Sequence, residues 1–213
     1  MVGSVPQHKN LPTDTWVQAT WDEYAELAAN PAYAQGRGYY ESGEMRLEMA
    51  PLGPGHARDN AIVSKVVSLF ATLKRIRIAE YANGTFRKVE IRDSQPDIAF
   101  YLGDVRFPPQ NDEPVDVTIY GAPQLVVEIA STSLSDDLGT KRLLYERLGM
   151  SEYWVVNVAL GRVTAFSIQN GRSGEVKASS VLPGLMISVV EDALKRSQTE
   201  DDGAINPMAN RVI

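Results

Sequence analysis

The feature that most constrains this chain is a carboxylate inside an apolar segment. Residues 124–130 read Gln-Leu-Val-Val-Glu-Ile-Ala, with Gly-Ala-Pro before them and Ser-Thr-Ser after them. A short apolar run between turn-forming residues predicts a buried β-strand. Burying an ionised carboxylate without a partner costs roughly several kcal/mol, so Glu128 has to be paired, protonated or bound to a metal ion. Asp97 and Lys141 are the candidate partners.

The composition limits which metal ions such a site can bind. The chain has 213 residues, no cysteine and two histidines, His8 and His56. Disulfides and thiolate metal sites are therefore excluded, and a zinc site built from histidines is not expected. Any metal site must use mainly oxygen ligands, which favours Mg²⁺, Mn²⁺ or Ca²⁺.

The charge is unevenly distributed along the chain. A net charge of −6 argues against a protein that binds nucleic acid loosely through overall charge. Residues 58–92 nevertheless contain eight basic and three acidic residues. This segment could form a local phosphate-facing surface, or it could equally be a solvated helix face and sheet edge.

The apolar segments do not suggest a membrane protein. The longest of them are far shorter than a membrane span requires. Residues 1–10 lack the apolar core of a signal peptide, and a chain without cysteine is compatible with a reducing compartment. We expect a cytoplasmic protein with no membrane partner.

The segments at the two ends differ from the rest of the chain. Residues 1–19 are polar and aperiodic, and we expect them to form an extended arm. A single domain is expected over residues 20–195, beginning with a helix at a Thr-Trp-Asp-Glu capping box. Residues 196–213 are expected to be a flexible tail.

Periodicity predicts most of the elements before Asp97. Residues 44–49 alternate between acidic or basic and apolar side chains, which predicts a strand paired in a hairpin with residues 38–41. Apolar residues at helical spacing predict a helix over residues 56–74. Asn83-Gly84 predicts a hairpin turn between strands at residues 76–82 and 86–91.

The second half of the chain predicts a parallel strand pair. Strand patterns at residues 124–130 and 153–158 flank a helix over residues 138–148, which implies a right-handed crossover. A further strand begins with Pro96-Asp97. Hairpins elsewhere require antiparallel pairs, so we expect a mixed central sheet flanked by helices, an α/β fold with an N-terminal helix and hairpin and C-terminal antiparallel strands.

Asp97, Glu128 and Lys141 could form a site with a defined chemistry. If the strands of Asp97 and Glu128 are neighbours, their carboxylates repel unless one is protonated or a cation lies between them. Mg²⁺ accepts one or two carboxylates and lowers the pKa of a bound water. Lys141, on the first turn of the next helix, could orient that water or stabilise developing charge.

Structural roles explain the same residues without any chemistry. Asp97 could cap a turn after Pro96, Glu128 could form a purely structural ion pair with Lys141, and Lys141 could be solvated. Among the auxiliary candidates, Tyr145 shares a helix face with Lys141 at i, i+4.

The other two auxiliary candidates have simpler explanations. His56 is more simply a helix-start residue than a ligand. Glu44 is more simply a solvent-facing hairpin carboxylate, although its face could point into the same cleft.

Four motifs taken together resemble the Uma2 family, also known as DUF820. They are Gln95-Pro-Asp-Ile-Ala99, Leu125-Val-Val-Glu-Ile-Ala-Ser-Thr-Ser133, Asp137-Leu-Gly-Thr-Lys-Arg-Leu-Leu-Tyr145 and Gly149-Met-Ser-Glu-Tyr-Trp154. The resemblance extends over roughly residues 20–190. It implies a restriction endonuclease-like core of the PD-(D/E)XK type.

The resemblance also implies roles for individual residues. Asp97 and Glu128 would be metal ligands and Lys141 the catalytic lysine of an Mg²⁺- or Mn²⁺-dependent endonuclease acting on DNA, working as a homodimer. The plain (D/E)XK spacing is not met, because Ala130 stands two residues after Glu128, and Lys141 takes the lysine's place. The alternative is a catalytically silent nuclease fold that serves as a binding or dimerisation module.

Overall fold

The computed structural model describes residues 12–205. Parts of the predicted arm (1–11) and tail (206–213) lie outside the described residues. The helices are α1 (Trp21–Ala28), α2 (Pro54–Leu73), α3 (Val117–Tyr120), α4 (Leu134–Leu138), α5 (Thr140–Leu148), α6 (Ile187–Ser197) and α7 (Asp202–Ile205), with a short 3-10 helix at Pro31–Tyr33. The strands are β1 (Trp16–Gln18), β2 (Arg37–Glu41), β3 (Glu44–Glu48), β4 (Ile78–Ala82), β5 (Phe86–Lys88), β6 (Arg92–Ser94), β7 (Ile98–Leu102), β8 (Val115–Asp116), β9 (Leu125–Ala130), β10 (Glu152–Asn157), β11 (Arg162–Gln169) and β12 (Arg172–Val176).

The predicted apolar strand lies inside a six-stranded mixed sheet. This first sheet has the order β12-β11-β10-β9-β7-β4. Strand β9 pairs in parallel with β10 and antiparallel with β7, so each edge of it is covered by another strand. All six residues of β9 are buried, which explains its continuous apolar sequence. The α/β fold class and the parallel crossover are confirmed.

The two faces of β9 enter different cores. Val127 packs with Val63 and Phe70 of α2 and with residues of α6. Val126 belongs to the opposite core, with Tyr145 of α5. Because successive strand residues point to opposite faces, Glu128 faces the same side as Val126. That side is covered by α5 and by a second sheet.

The second sheet has the order β1-β3-β2-β6-β5-β8. Its centre is the predicted hairpin of β2 and β3, in which Arg37 lies opposite Glu48. Arg46 and Glu48, which the alternation of residues 44–49 places on the same face of the strand, are each 8% exposed. They are buried because this face of the hairpin packs towards the Glu128 side of the first sheet.

The predicted hairpin around Asn83-Gly84 is wrong. Strand β4 before the turn pairs with β7 in the first sheet, and β5 after it pairs with β6 in the second. The turn itself forms, with Asn83 at φ 54°, but it carries the chain from one sheet to the other. Phe86, at the start of β5, is fully buried against Tyr81 and Tyr101, so burial decides its partners.

The ends of the described chain are more ordered than the sequence predicted. Trp16–Gln18 forms β1 on β3, and the indole N–H of Trp16 donates to Asp136 at 2.6 Å. At the other end, residues 202–205 form α7, which Arg58 and Lys65 of α2 hold through ion pairs to Asp202. Strand β1 and helix α7 thus lie within the segments for which the sequence predicted an arm and a tail. The extent of the domain over residues 20–195 stays a prediction.

Glu152 shows how a buried carboxylate can be satisfied without a cation. It accepts hydrogen bonds from the Trp154 indole at 2.6 Å, from the Ser180 backbone and hydroxyl at 2.7 and 2.6 Å, and from the Val181 backbone at 3.3 Å. We expect Glu152→Ala to lower the free energy of unfolding by about 2–3 kcal/mol, because these donors lose a charged acceptor. Urea denaturation, with the exposed Glu175→Ala as control, measures this; equal losses would contradict it.

Candidate active site

Strand register brings the two predicted carboxylates together. Ile98 of β7 lies opposite Val127 of β9. Continuing this antiparallel register by one residue places Asp97 opposite Glu128. Each is 1% exposed. Asp97 Oδ2 accepts the backbone N–H of Ile129 at 2.7 Å, which fixes that carboxylate against β9. We refer to Asp97 and Glu128 as the carboxylate pair.

Lys141 lies in this cluster, as the sequence predicted, but it has more partners than expected. Its Nζ is 2.7 Å from Glu48 Oε1, 2.9 Å from Asp137 Oδ1 and 3.7 Å from Glu128 Oε1. The lysine is fully buried, so it is not a solvated helix residue.

A break between α4 and α5 sets the start of the helix that carries Lys141. The break falls at Gly139, where a Cβ would lie 2.9 Å from the carbonyl oxygen of Ser135. The close approach requires glycine at this position. Thr140 then begins α5, and Lys141 follows on its first turn.

Two tyrosines hold one oxygen of Glu128. The hydroxyls of Tyr145 and Tyr39 donate to Glu128 Oε1 at 2.5 and 3.2 Å. Burial raises the pKa of both phenols well above the ordinary value, so they remain donors at neutral pH. The ammonium of Lys141 also lies 4.2 Å from the centre of the Tyr39 ring. Tyr145 is therefore a direct partner of Glu128.

Arg37 contacts three carboxylates at once. Its Nη1 donates to Asp97 Oδ1 and lies 3.8 Å from Glu128 Oε2, while Nη2 donates to Glu48 Oε2 at 3.1 Å. The side chain of Arg37 is 15% exposed. The guanidinium thus lies between the members of the carboxylate pair.

Of the other two auxiliary residues, His56 contacts the cluster and Glu44 does not. His56, in the first turn of α2, places Nε2 3.1 Å from Asp97 Oδ1. It therefore joins the cluster, although the simpler expectation was a helix-start residue. Glu44 does not join, because it accepts from Gln18 at 2.8 Å near the turn of the β2–β3 hairpin.

Burial and neighbouring charges move the pKa values within the cluster in different directions. Burial raises the pKa of Glu128 to about 8. Burial also acts to raise the pKa of Asp97, but the hydrogen bond from His56 and the charge of Arg37 outweigh it and lower that pKa. Burial acts to lower the pKa of Lys141, but Glu128, Glu48 and Asp137 raise it, so the lysine is a cation and not a general base.

The cluster has more carboxylates than fixed cations. The carboxylates are Glu48, Asp97, Glu128, Asp136 and Asp137, and the cations in contact with them are Arg37, Arg46 and Lys141. Counted as carboxylates against these three cations, the excess is two negative charges with Glu128 ionised and one with Glu128 protonated, the form that its raised pKa of about 8 favours at pH 7. Glu128 Oε2 is buried and makes no hydrogen bond, with Arg37 Nη1 3.8 Å away. A divalent cation that replaced the Glu128 proton would balance the excess of two and give this oxygen a closer partner.

The donors that are present are oxygen ligands, which suit a hard divalent cation. Among residues 12–205, no group of three or more His, Cys, Asp or Glu side chains is arranged to hold a metal ion. A site built on Asp97 and Glu128 alone would leave the remaining positions to water and substrate. Mg²⁺ binds in this way, through one or two carboxylates, whereas Ca²⁺ takes six to eight oxygens and structural Zn²⁺ four protein ligands.

We expect Glu128→Gln to stabilise the metal-free protein. The pKa of Glu128 is raised from 4.5 to about 8, so the stability that its proton contributes is complete below pH 4.5 and is lost as the pH rises to about 8. Glutamine imitates the protonated form, so the advantage of the variant grows across this window to roughly 2–4 kcal/mol. Urea denaturation in EDTA at pH 5, 7 and 8.5 measures it, with Glu44→Gln as control. An advantage that is independent of pH would contradict the prediction.

The basic segment at residues 58–92 contributes less free charge than its composition suggests. Five of its eight basic residues form ion pairs with carboxylates of the same chain: Arg58 and Lys65 with Asp202, Arg77 with Asp104, Arg87 with Asp93 and Arg92 with Glu41. Much of the segment's charge is therefore neutralised within the fold.

A cavity of about 630 Å³ opens above the carboxylate pair. Arg37, Glu48 and His56 belong to its lining, so it reaches the cluster that surrounds Asp97. The remaining lining includes amide and hydroxyl side chains from four separate segments, namely Gln35, Asn83, Gln95, Ser131, Thr132 and Ser133. We call this space the active-site cavity. Its uncharged donors and its two arginines, Arg37 and Arg46, suit a phosphate-containing ligand.

Sequence reasoning missed Arg37, Tyr39, Glu48 and Asp137. A signal was present for Asp137, which precedes Lys141 by four residues and so shares its helical face. The hairpin register would also have placed Arg37 opposite Glu48. That this hairpin covers Glu128 depends on contacts between the sheets, which no local pattern encodes.

Comparison with known proteins gives one family and one fold. A sequence model of Uma2, described as "Putative restriction endonuclease", matches residues 21–200. A crystal structure described as "a putative nuclease belonging to DUF820", from Anabaena variabilis, superimposes with a TM-score of 0.58. It shares 18% sequence identity and covers 83% of this chain and 99% of its own. No protein with a curated description matches the chain. Within residues 12–205, no helix is long and apolar enough to cross a membrane.

Proposed function

We propose that this chain, which belongs to the Uma2 family, is a nuclease that hydrolyses phosphodiester bonds with a divalent metal ion held by Asp97 and Glu128. The observation that carries the proposal is the unbalanced cluster. Five carboxyl side chains meet three fixed cations, burial raises the pKa of Glu128 to about 8, and Glu128 Oε2 makes no hydrogen bond. Carboxylates that converge in a buried site take up a proton or bind a cation, and we propose that a divalent ion replaces the proton of Glu128.

Five residues in and around the cluster have proposed roles. Asp97 and Glu128 would hold Mg²⁺ or Mn²⁺, which supplies a water of lowered pKa and stabilises charge on the phosphoryl group. Lys141 stays protonated and adds positive charge close to Glu128. Tyr145 fixes the orientation of Glu128, and His56 that of Asp97. The last two are positioning residues, because they act through the carboxylates.

DNA is the proposed substrate, and the active-site cavity is the proposed binding site. Amide and hydroxyl groups of the cavity can contact phosphate and sugar oxygens without depending on base identity. Arg37 and Arg46 are the basic side chains of this lining, which also contains Asp14 and Glu48, and both arginines form ion pairs with Glu48. Five of the eight basic residues in 58–92 already form ion pairs within the fold. The local contacts of the cavity, and not overall charge, are therefore proposed as the main source of affinity for DNA.

A catalytically silent binding module is the second candidate. The observation that favours it is burial, because Asp97, Glu128 and Lys141 are all at most 1% exposed. A site that never opens would retain the ion pairs as a structural core and use its surface for binding or dimerisation.

Assembly and location are further parts of the proposal. We propose a homodimer in the cytoplasm, following the resemblance to restriction endonuclease-like proteins. Light scattering coupled to size-exclusion chromatography measures the mass directly. A mass of one chain at micromolar concentration would remove the dimer from the proposal.

The experiment that tests the function is DNA cleavage by the wild-type chain with Mg²⁺, with Mn²⁺ and with EDTA. Supercoiled plasmid and single-stranded DNA are both offered. We expect cleavage with either metal ion and none with EDTA, because the carboxylate pair requires the ion. DNA binding without cleavage under every condition would support the silent module instead, and the absence of both would reject both candidates.

A further inference from the structure

Arg37 occupies the space between the carboxylate pair and the active-site cavity. Its Nη1 contacts Asp97 Oδ1 and lies 3.8 Å from Glu128 Oε2. Arg37 lines the cavity, whereas neither Asp97 nor Glu128 does. A ligand entering from the cavity therefore meets the guanidinium before it meets the carboxylate pair.

The contacts of Arg37 are those expected of a counter-cation that can be replaced. Nη1 is near both oxygens that a shared metal ion would use, so the guanidinium and the ion compete for the same charge. Glu128 Oε2 makes no hydrogen bond in spite of this neighbour, since 3.8 Å is too long for one. The arginine thus neutralises the carboxylate pair only in part. A divalent ion at the same place would bring two positive charges where the guanidinium brings one.

The direction in which Arg37 could move is also evident from the structure. Its side chain is 15% exposed and borders a cavity of about 630 Å³. Arginine has a long stem and a planar fork that binds phosphate oxygens with two parallel hydrogen bonds. Outward rotation would take the guanidinium from the carboxylates to the place proposed for the substrate phosphate.

We propose that Arg37 is a displaceable internal cation, which closes the carboxylate pair in the metal-free protein and turns into the active-site cavity when a divalent ion binds. This inference rests on the proposed function, because it assumes a metal site at Asp97 and Glu128. Arg37, which is not one of the three predicted site residues, would then control the affinity for the metal ion.

Calorimetric titration with Mn²⁺, in the absence of nucleic acid, tests the proposal on wild type, Arg37→Met and Arg46→Met. Arg46 is a matched control, because it lines the same cavity and binds Glu48 at 3.0 Å but contacts neither member of the carboxylate pair. We expect Arg37→Met to bind Mn²⁺ at least tenfold more tightly than wild type, and Arg46→Met to change the affinity by less than about threefold, since it removes the same charge one carboxylate away.

The outcomes separate the inference from the function on which it rests. Wild-type binding that Asp97→Ala removes, without any gain in Arg37→Met, overturns the displaceable cation and leaves the metal site intact. Binding by Arg37→Met alone supports the displaceable cation. If neither protein binds Mn²⁺, the metal site and the inference both fail.

A measurement on the wild-type protein covers the case in which Arg37→Met does not fold. The side-chain Nε–H resonance of Arg37, assigned by its loss in Arg37→Lys, is followed by NMR during titration with Mg²⁺. We expect its chemical shift to change and its exchange with water to accelerate as the guanidinium leaves the carboxylates. An unchanged resonance at saturating Mg²⁺ would overturn the proposal.

Discussion

Replacing Lys141 by methionine is expected to lower the free energy of unfolding by about 3–5 kcal/mol, since the variant leaves buried carboxylates without their shared cation. Glu48, Asp137 and Glu128 all lie within 3.7 Å of the lysine Nζ. Methionine keeps most of the side-chain volume, so the loss reports charge and not a cavity. Urea denaturation in EDTA measures it.

Two further variants make this test specific. Lys195→Met, on the exposed face of α6, is expected to change stability by no more than about 0.5 kcal/mol. Adding Glu128→Gln to Lys141→Met should restore part of the loss, because glutamine is neutral without the proton that buried Glu128 must take up on folding. Equal effects of the substitution at positions 141 and 195 would show that the buried ion cluster contributes nothing to stability.

Replacing Asp97 by asparagine is expected to reduce DNA cleavage by about 1,000-fold or more, mainly through kcat. The amide can still accept the Ile129 N–H, but it cannot supply the negative charge that the metal ion and Arg37 both use. Loss of a group that acts in the transition state lowers kcat and kcat/KM together. Steady-state cleavage at saturating Mg²⁺ measures both constants.

The control for this prediction is the same substitution at Asp104. Its side chain is fully exposed and pairs only with Arg77 on the surface, so Asp104→Asn is expected to cleave at the wild-type rate. Circular dichroism confirms that both variants are folded before the rates are compared. A cleavage rate for Asp97→Asn within tenfold of wild type would remove Asp97 from the mechanism.

The sequence was sufficient for the centre of the fold because that part is encoded locally. The apolar run around Glu128 and the crossover to β10 follow from periodicity and from the handedness rule. Lys141 could be placed because a strand–helix–strand unit returns the helix over the same sheet. The ion pair between Lys141 and Glu128 also follows from this placement, and the two groups lie 3.7 Å apart.

What the sequence could not supply is the contact between the two sheets. Arg46 and Glu48 alternate with apolar residues in the pattern of a half-exposed strand, yet packing of the two sheets buries both of them. The turn at Asn83 illustrates the same limit. Turn chemistry fixed the local reversal of the chain, while the burial of Phe86 decided that the next strand joins another sheet.

The cluster also explains why a functional site is expected to lower stability here. Burial holds Glu128 at a raised pKa beside the negative charge of Asp97. Like charges that converge in a buried site destabilise the metal-free protein, and a bound cation relieves the repulsion. The expected gain of Glu128→Gln in EDTA follows from this, because the carboxylate charge that a metal ion would use is unfavourable for folding in its absence.

Crystals of the wild-type protein soaked in Mn²⁺ test the central claim most directly, through the anomalous signal of the metal. The account predicts one strong peak within about 2.5 Å of an oxygen of Asp97 and of an oxygen of Glu128, with the guanidinium of Arg37 withdrawn from Asp97 Oδ1. Peaks confined to surface carboxylates, with Arg37 still bound between Asp97 and Glu128 at saturating Mn²⁺, would contradict it.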